Sequence, residues 1–417
     1  MPEQNYSVEI GTTNIRGQQR LVGIKDNDRL RHTYMIGKTG TGKTTLYQNM
    51  ALQDIRAGHG ICFVDPHGEA IDFILERIPK NRLDDVVLFD PSQLEAPLGL
   101  NLLETKNEQE KDFLVSEAIQ IFYKIFDPDQ TGVIGPQFEH WMRNAALTVM
   151  ADPAGGTLLE IPRLFVDKSF ENYKRQFITD PTVQEFWDKQ MAKTADFHRS
   201  EMLNYFSSKF GRFMTNTMMK NIIGQKQSAF NFTEILDSEK ILLINLSKGK
   251  TGETNAQMLG LILMTKLQLA IMQRASIAAD KRRPFYLYVD EFQNLLTDAF
   301  ISMLSESRKY GLGVHLTNQY IAQLPEKIRN AILGNIGTLI TFQIGALDAD
   351  FLRKEMQPLD QNDLQNAPLR NFYIRTTIDG VPYQPFLAQG FAPSTEKHRY
   401  AEVIKDLSEL RYGSLPI

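Results

Sequence analysis

The segment Gly37-Lys38-Thr39-Gly40-Thr41-Gly42-Lys43-Thr44 sets glycines, a lysine and a hydroxyl at the spacing G-x-x-x-x-G-K-[ST], between the apolar TYMI (33 to 36) and the helix-patterned TTLYQNMALQDI. Polyphosphate carries dense negative charge, so a loop that cradles it must turn several backbone N–H groups inward. Glycines permit both the dihedrals and the close approach. A helix starting at the loop adds the positive end of its dipole. In that setting Lys43 reaches the β and γ phosphates and the Thr44 hydroxyl ligates magnesium. The nucleotide-binding residues expected are Gly37, Lys38, Thr39, Gly40, Thr41, Gly42, Lys43, Thr44 and Thr45, with ATP and Mg2+ as the bound species.

A second group supplies what hydrolysis needs. The run FYLYV (285 to 289) ends in Asp290-Glu291, which would place one carboxylate at the magnesium shell, through water, and the next where it orients and deprotonates the attacking water. Gln319 follows the strand-like GVHLT (313 to 317) and is a candidate sensor of the terminal phosphate. Arg308, on ISMLSESRKYG, is a candidate arginine finger toward a neighbouring subunit, the alternative being a solvated helix arginine. Asp65 and Glu69, in VDPHGE (64 to 69), either border the site or cap a loop. The seven histidines show no metal-ligand spacing, and His67 reads as a loop hydrogen-bonder. Asp127-Pro128-Asp129-Gln130-Thr131-Gly132 imitates the front of a calcium loop, but its twelfth position is Phe138 and not the required glutamate.

These residues must be held by strands that end at one edge. The runs TYMI, GICFV (60 to 64), DVVLF (85 to 89), KILLINL (240 to 246), FYLYV and GVHLT are each followed by a helical pattern, which predicts a parallel sheet covered on both faces. GTLITF (337 to 342) adds a strand, and NFYIRTTI and PYQPFLAQ flank Asp379-Gly380, a pair suited to a hairpin turn. Between about 105 and 235 the apolar spacing turns helical, as in Phe113, Leu114, Ala118, Ile121, Phe122 and Ile125. We therefore expect an α/β core over 1–104 and 236–392, an inserted all-α domain over 105–235, and a tail over 393–417, helical from 395 to 410. Thr105 and Glu108 are spaced as a capping box for the first inserted helix.

Totals exclude several classes. A chain of 417 residues with 42% apolar and 23% charged side chains is neither disordered nor fibrous. With 46 basic against 50 acidic groups, whole-molecule attraction to nucleic acid is absent and any such binding must be local. Arg199, Lys209, Arg212, Lys220 and Lys226, against the single acid Glu201, form one local basic stretch. Cys62 is the only cysteine and lies in an apolar run, as in a reducing compartment. The N-terminal residues lack the order of a signal peptide, and MLGLILMTKLQLAIM (258 to 272), broken by Thr265, Lys266 and Gln268, reads as a buried helix. A cytoplasmic chain with no integral membrane segment is the expectation.

Taken together, IGKTGTGKTT, VDPHGE, LYVDEFQNL, SESRKYGLGVHLTNQY and ILGNIGTLITFQIG resemble the FtsK/HerA superfamily of DNA-pumping ATPases, and within it the coupling ATPases of conjugative type IV secretion. The resemblance covers most of the chain. It implies a RecA-like motor core, a hexameric ring, ATP hydrolysis at subunit interfaces and DNA driven through a central pore. It also implies the roles named above for Lys43, Thr44, Asp290, Glu291, Gln319 and Arg308, and a helical domain over 105–235 that helps recruit relaxase cargo or secretion-system partners. Coupling proteins commonly carry N-terminal transmembrane helices, so recruitment of this chain to the inner face of the membrane would fall to a partner. A DNA translocase is the leading function. The alternatives are an ATPase that energises protein secretion, or a nucleotide-gated assembly module with little turnover.

Overall fold

The computed structural model describes residues 7–105, 107–194, 196–295 and 297–417, and within them all side chains except those of 196–199, 202, 298–300, 302 and 303. Two compact units emerge: one of residues 1–89, 232–247 and 267–408, the other of 90–231, 248–266 and 409–417. The second thus takes in, besides the inserted helical segment, part of the long apolar helix and the chain's last residues.

The first unit is built on one eleven-stranded sheet. Its strands are β1 (Val8–Ile15), β2 (Gln18–Ile24), β3 (Thr33–Ile36), β4 (Gly60–Asp65), β5 (Val86–Phe89), β6 (Ile241–Asn245), β7 (Phe285–Val289), β8 (Leu312–Asn318), β9 (Thr338–Thr341), β10 (Asn371–Ile378) and β11 (Val381–Gly390). The order is β2-β1-β11-β10-β9-β3-β8-β7-β4-β6-β5. From β9 to β5 every neighbouring pair is parallel. These strands are continuous apolar runs because helices cover both faces, and every residue of β3, β4 and β7 is buried. The fold class read from the sequence holds, with one addition: the sheet is mixed, since β10, β11, β1 and β2 extend it antiparallel.

The C-terminal hairpin turns at Asp379 and Gly380, both at positive φ (53° and 80°), as a two-residue turn requires. Pro382 and Pro385 are tolerated because β11 meets β1 only at Gln389 and Gly390, leaving that stretch without a ladder on one side. The N-terminal hairpin was not anticipated from the sequence. It turns at Arg16 and Gly17, again both at positive φ, and Gly11 has no alternative there: an added Cβ would lie 2.2 Å from the Gln389 carbonyl oxygen. The tail forms a helix later than expected, Ala401–Tyr412. Its Ile404 enters the sheet's apolar core and its Ser408 hydroxyl accepts from Leu88 N at 2.9 Å.

The second unit is helical among the described residues. Its first inserted helix, Glu108–Phe126, is capped by Asn107, which accepts from Gln109 N at 3.0 Å, and not by the expected Thr105–Glu108 box. Thr105 instead donates to Glu110 Oε2 at 2.6 Å. The core is aromatic: Phe122 and Phe210 stand 4.6 Å apart, and Phe138 and Phe206 stack at 4.9 Å. Lys174 is buried and meets Asp152 at 2.8 Å and Glu160 at 3.0 Å. The calcium-like segment is spent on its own loop: Asp127 accepts from the N–H groups of Thr131, Gly132 and Ile134, and these bonds hold its carboxyl down to about 2. Of the basic stretch, Arg212, Lys220 and Lys226 are exposed, while the side chain of Arg199 lies outside the described residues. The long apolar stretch Glu253–Ser276 passes a membrane-span test by length and composition, yet 83% of its most apolar window is buried within the protein.

Candidate functional site

The parallel strand order brings β8 between β3 and β7, so the glycine loop after β3 and the acids after β7 share one sheet edge, flanking the end of β8. Open sheets of this kind bind ligands at that edge, beyond the carboxyl ends of the strands. The helix Lys43–Ala57 begins without a side-chain cap, its N-cap Gly42 at φ 120°. That dihedral favours glycine, and a Cβ there would press to 3.2 Å against the Phe342 ring. The first N–H groups of the helix therefore meet the loop uncovered, the arrangement that takes an anion.

Lys43 is buried, and its ammonium donates to the Gly37 carbonyl and, at 3.0 Å, to that of Lys38. Burial lowers its pKa, while the charges of Asp290 and Glu291 push the other way. The ammonium thus lies within the field of both acids. Asp290 Oδ1 accepts from Glu291 N at 3.0 Å and from Thr317 Oγ1 at 3.3 Å. Burial and the nearby charges of Asp65 and Glu291 raise its carboxyl to about 6. Thr44 is exposed on the first turn of the helix. Among the described residues no group of three or more His, Cys, Asp or Glu side chains is arranged to hold a metal ion by itself. A threonine hydroxyl and a buried carboxylate at one sheet edge are a donor set that suits magnesium, which keeps several waters and takes its other ligands from phosphate.

Glu291 sits in the left-handed region, φ 47° and ψ 46°. Such a conformation costs about 1–3 kcal/mol in a non-glycine residue and persists where the surroundings demand it. Here two amides hold the carboxylate: Gln319 Nε2 donates to Oε1 at 2.9 Å and Gln293 Nε2 to Oε2 at 2.8 Å. Gln319, just past β8, also receives the Thr39 hydroxyl at 3.2 Å. Loop, glutamine and glutamate thus form one hydrogen-bonded chain across the edge. Gln293 was missed in the sequence; its spacing two residues beyond Glu291 carries no signal by itself.

Asp65 is buried and accepts from His67 N at 2.7 Å and Ala70 N at 2.8 Å. It caps the turn into the helix Glu69–Leu75 and its charge reaches Asp290. Glu69 is exposed at the start of that helix. Arg308 is exposed in the short turn Arg308–Tyr310 that follows the helix Asp298–Ser307. That turn is anchored by His32, whose Nδ1 accepts from Val314 N at 3.1 Å, so Nε2 carries the proton and donates to the Leu304 carbonyl at 2.9 Å, beside the Ser307 hydroxyl at 3.1 Å. The loop before β10 was also missed: Arg370 N donates to Thr41 O at 3.1 Å, closing the glycine loop from the side of β9.

Burial, with the Arg308 charge acting in the same sense, lowers His32 to about 4 from the ordinary 6.5. The unfolded chain therefore binds a proton between those values that the folded chain refuses. The stability this gives is complete above pH 6.5 and is lost as pH falls toward 4, about 3 kcal/mol in all. Urea midpoints measured across that window should decline accordingly, and His32→Gln, which bonds but does not titrate, should remove one proton's share of the slope.

Known proteins bear on this arrangement. Residues 165–352 match the family model described as the type IV secretion-system coupling protein DNA-binding domain. That segment contains Asp290, Glu291, Arg308 and Gln319, while the glycine loop lies outside it and rests on its own motif and geometry. No curated protein sequence matches the chain. Among solved structures, the plasmid coupling protein TrwB bound to the non-hydrolysable ATP analogue ADPNP superposes with a TM-score of 0.63 at 14% identity, over 93% of this chain and 91% of that one. The unbound bacterial conjugative coupling protein TrwBΔN70 gives 0.62 at 13%, over 93% and 90%. VirB4 of Thermoanaerobacter pseudethanolicus gives 0.58 at 15%, over 96% and 99%. At these identities the likeness is one of fold. The chain thus has the fold of the TrwB coupling protein and of VirB4, and its residues 165–352 match the DNA-binding domain model of the type IV secretion-system coupling proteins.

Proposed function

We propose that this chain is an ATP-hydrolysing motor that assembles as a cytoplasmic hexameric ring and translocates DNA, as the coupling ATPase of a conjugative or type IV secretion system. The observation that carries the ATPase reading is the shared sheet edge, where Lys43, Asp290, Glu291 and Gln319 are joined through loop carbonyls, charges and one chain of hydrogen bonds. TrwB, of the same fold, is known in complex with ADPNP and with ADP and Mg2+.

On binding, the triphosphate lies along residues 37–44, and Lys43 exchanges the carbonyls of Gly37 and Lys38 for phosphate oxygens. Thr44 and Asp290 would hold the metal, which would supply charge neutralisation for the phosphates. Glu291 orients the attacking water and takes its proton, and Gln319 carries the presence of the terminal phosphate to it. Asp65 and Glu69 shape the site's border. Arg308, exposed on a turn anchored at its base, extends to the site of a neighbouring copy. The inserted helical domain handles the cargo, and a partner brings the ring to the membrane.

DNA as cargo rests on the matched DNA-binding domain model and on the exposed Arg212, Lys220 and Lys226. ATP turnover by the purified chain should rise severalfold with DNA at low salt, and the stimulation should fade from about 50 to about 200 mM salt as counterions compete for the phosphates. Turnover indifferent to DNA would favour protein as the cargo.

A further inference from the structure

We infer that Tyr47 is a positioning residue for hydrolysis, its hydroxyl tying the strand ends that carry the catalytic acids to the helix of the phosphate loop. The inference rests on the ATPase reading above. Tyr47 lies one helical turn beyond Lys43 on the helix that starts at the loop, so the two side chains share a face. Its hydroxyl accepts from Val289 N at 3.0 Å and donates to the His315 carbonyl. Val289 is the last residue of β7, immediately before Asp290, and in the β7–β8 register it stands opposite Leu316, the residue after His315. In a parallel ladder the N–H of Val289 and the carbonyl of His315 belong to one rung. A side-chain hydroxyl from the loop's own helix thus bonds both groups of the last rung before the acid pair.

The consequence is mechanical. With the hydroxyl seated there, the ends of β7 and β8 are held to the helix that carries Lys43 and Thr44, and the separation between acids and phosphates is set by one rigid ring. That ring is packed by two aromatic neighbours: its centroid is 5.5 Å from Phe63 and 5.1 Å from Tyr288, both edge-on. Without the hydroxyl that tie is lost, and the ends of β7 and β8 can shift against the helix beneath Asp290 and Gln319. Loop and helix start are untouched by that shift, so binding is retained while alignment for water attack is lost. Misplacements of this size cost rate and not affinity.

A neighbouring tyrosine provides the contrast. Tyr288 donates to Asp54, which also forms a two-pronged buried pair with Arg29 at 2.6 Å on each oxygen. That cluster lies further along the same helix, away from the sheet edge, and its loss strands charges without moving the acids.

The test compares Tyr47→Phe, Tyr288→Phe and Glu291→Gln with the wild type for ATP-analogue affinity, single-turnover hydrolysis and thermal midpoint. Tyr47→Phe should keep the affinity within about twofold and lose about tenfold in the hydrolysis step, whereas Tyr288→Phe should lower the midpoint and leave the hydrolysis step alone. Wild-type hydrolysis rates in Tyr47→Phe, beside a stalled Glu291→Gln, would overturn the positioning role alone. So would equal losses of affinity and rate that track the thermal midpoint in both tyrosine variants. A wild type that fails to hydrolyse ATP would overturn the underlying ATPase reading instead.

Discussion

Glu291→Gln should bind ATP with near-native affinity and hydrolyse it about a hundred- to ten-thousandfold more slowly, the range that a positioned general base contributes. The substitution is nearly isosteric, so the two amides that hold the residue can reorient around it. Lys43, Thr44 and the loop are unaffected, which is why affinity survives. Only the ability to accept the water's proton is removed. Single-turnover measurements with saturating ATP isolate that step. Hydrolysis at the wild-type rate would show that another group activates the water and would return Glu291's strained backbone to an unexplained feature.

Arg308→Ala should lower turnover by about a thousandfold if the residue completes the site of an adjacent copy, as arginine fingers do. The structure gives the arginine an exposed position on a turn whose base is fixed by His32 and Ser307, so it projects from a firm support. A role between copies makes a further demand. Mixing Arg308→Ala with Lys43→Ala should restore activity, because an interface that pairs the intact loop of one protein with the intact arginine of the other is complete. Full activity of Arg308→Ala alone, or no recovery on mixing, would assign the residue to an ordinary solvated surface.

How much of this was legible beforehand differs by physical cause. The parallel strands could be read because burial on both faces leaves unbroken apolar runs, as in TYMI and FYLYV, and because each is followed by helical spacing. The hairpin at Asp379-Gly380 announced itself through turn chemistry. The hairpin at Arg16-Gly17 uses the same geometry, but an arginine at positive φ is an uncommon choice, and its strands VEIGTTNI and QQRLVGI are half polar because their outer ends face solvent. The capping of Glu108–Phe126 was misplaced because Thr105, Asn107 and Glu108 all suit a helix start and only the backbone decides among them.

At the site, the loop and the acid pair were visible because their spacing is dictated by a ligand that every such loop must fit. The contacts that join them were not. Gln293 and Tyr47 make contacts set by β7, β8 and one helix, and neither residue type nor spacing marks them out. Asp65 could be read either way from its motif, as a border of the site or a loop cap, and its two oxygens accept from the backbone of the turn while its charge reaches Asp290.

The central claim is that one triphosphate is held between the loop at 37–44 and the acids at 290 and 291. Determining the structure of the chain with a non-hydrolysable ATP analogue and magnesium tests it most directly. The account predicts the phosphates along Gly37 to Thr44, the metal beside Thr44 and facing Asp290, and Glu291 facing the terminal phosphate across one water. An analogue bound elsewhere, or a bound triphosphate with Asp290 and Glu291 turned away from it, would contradict the account.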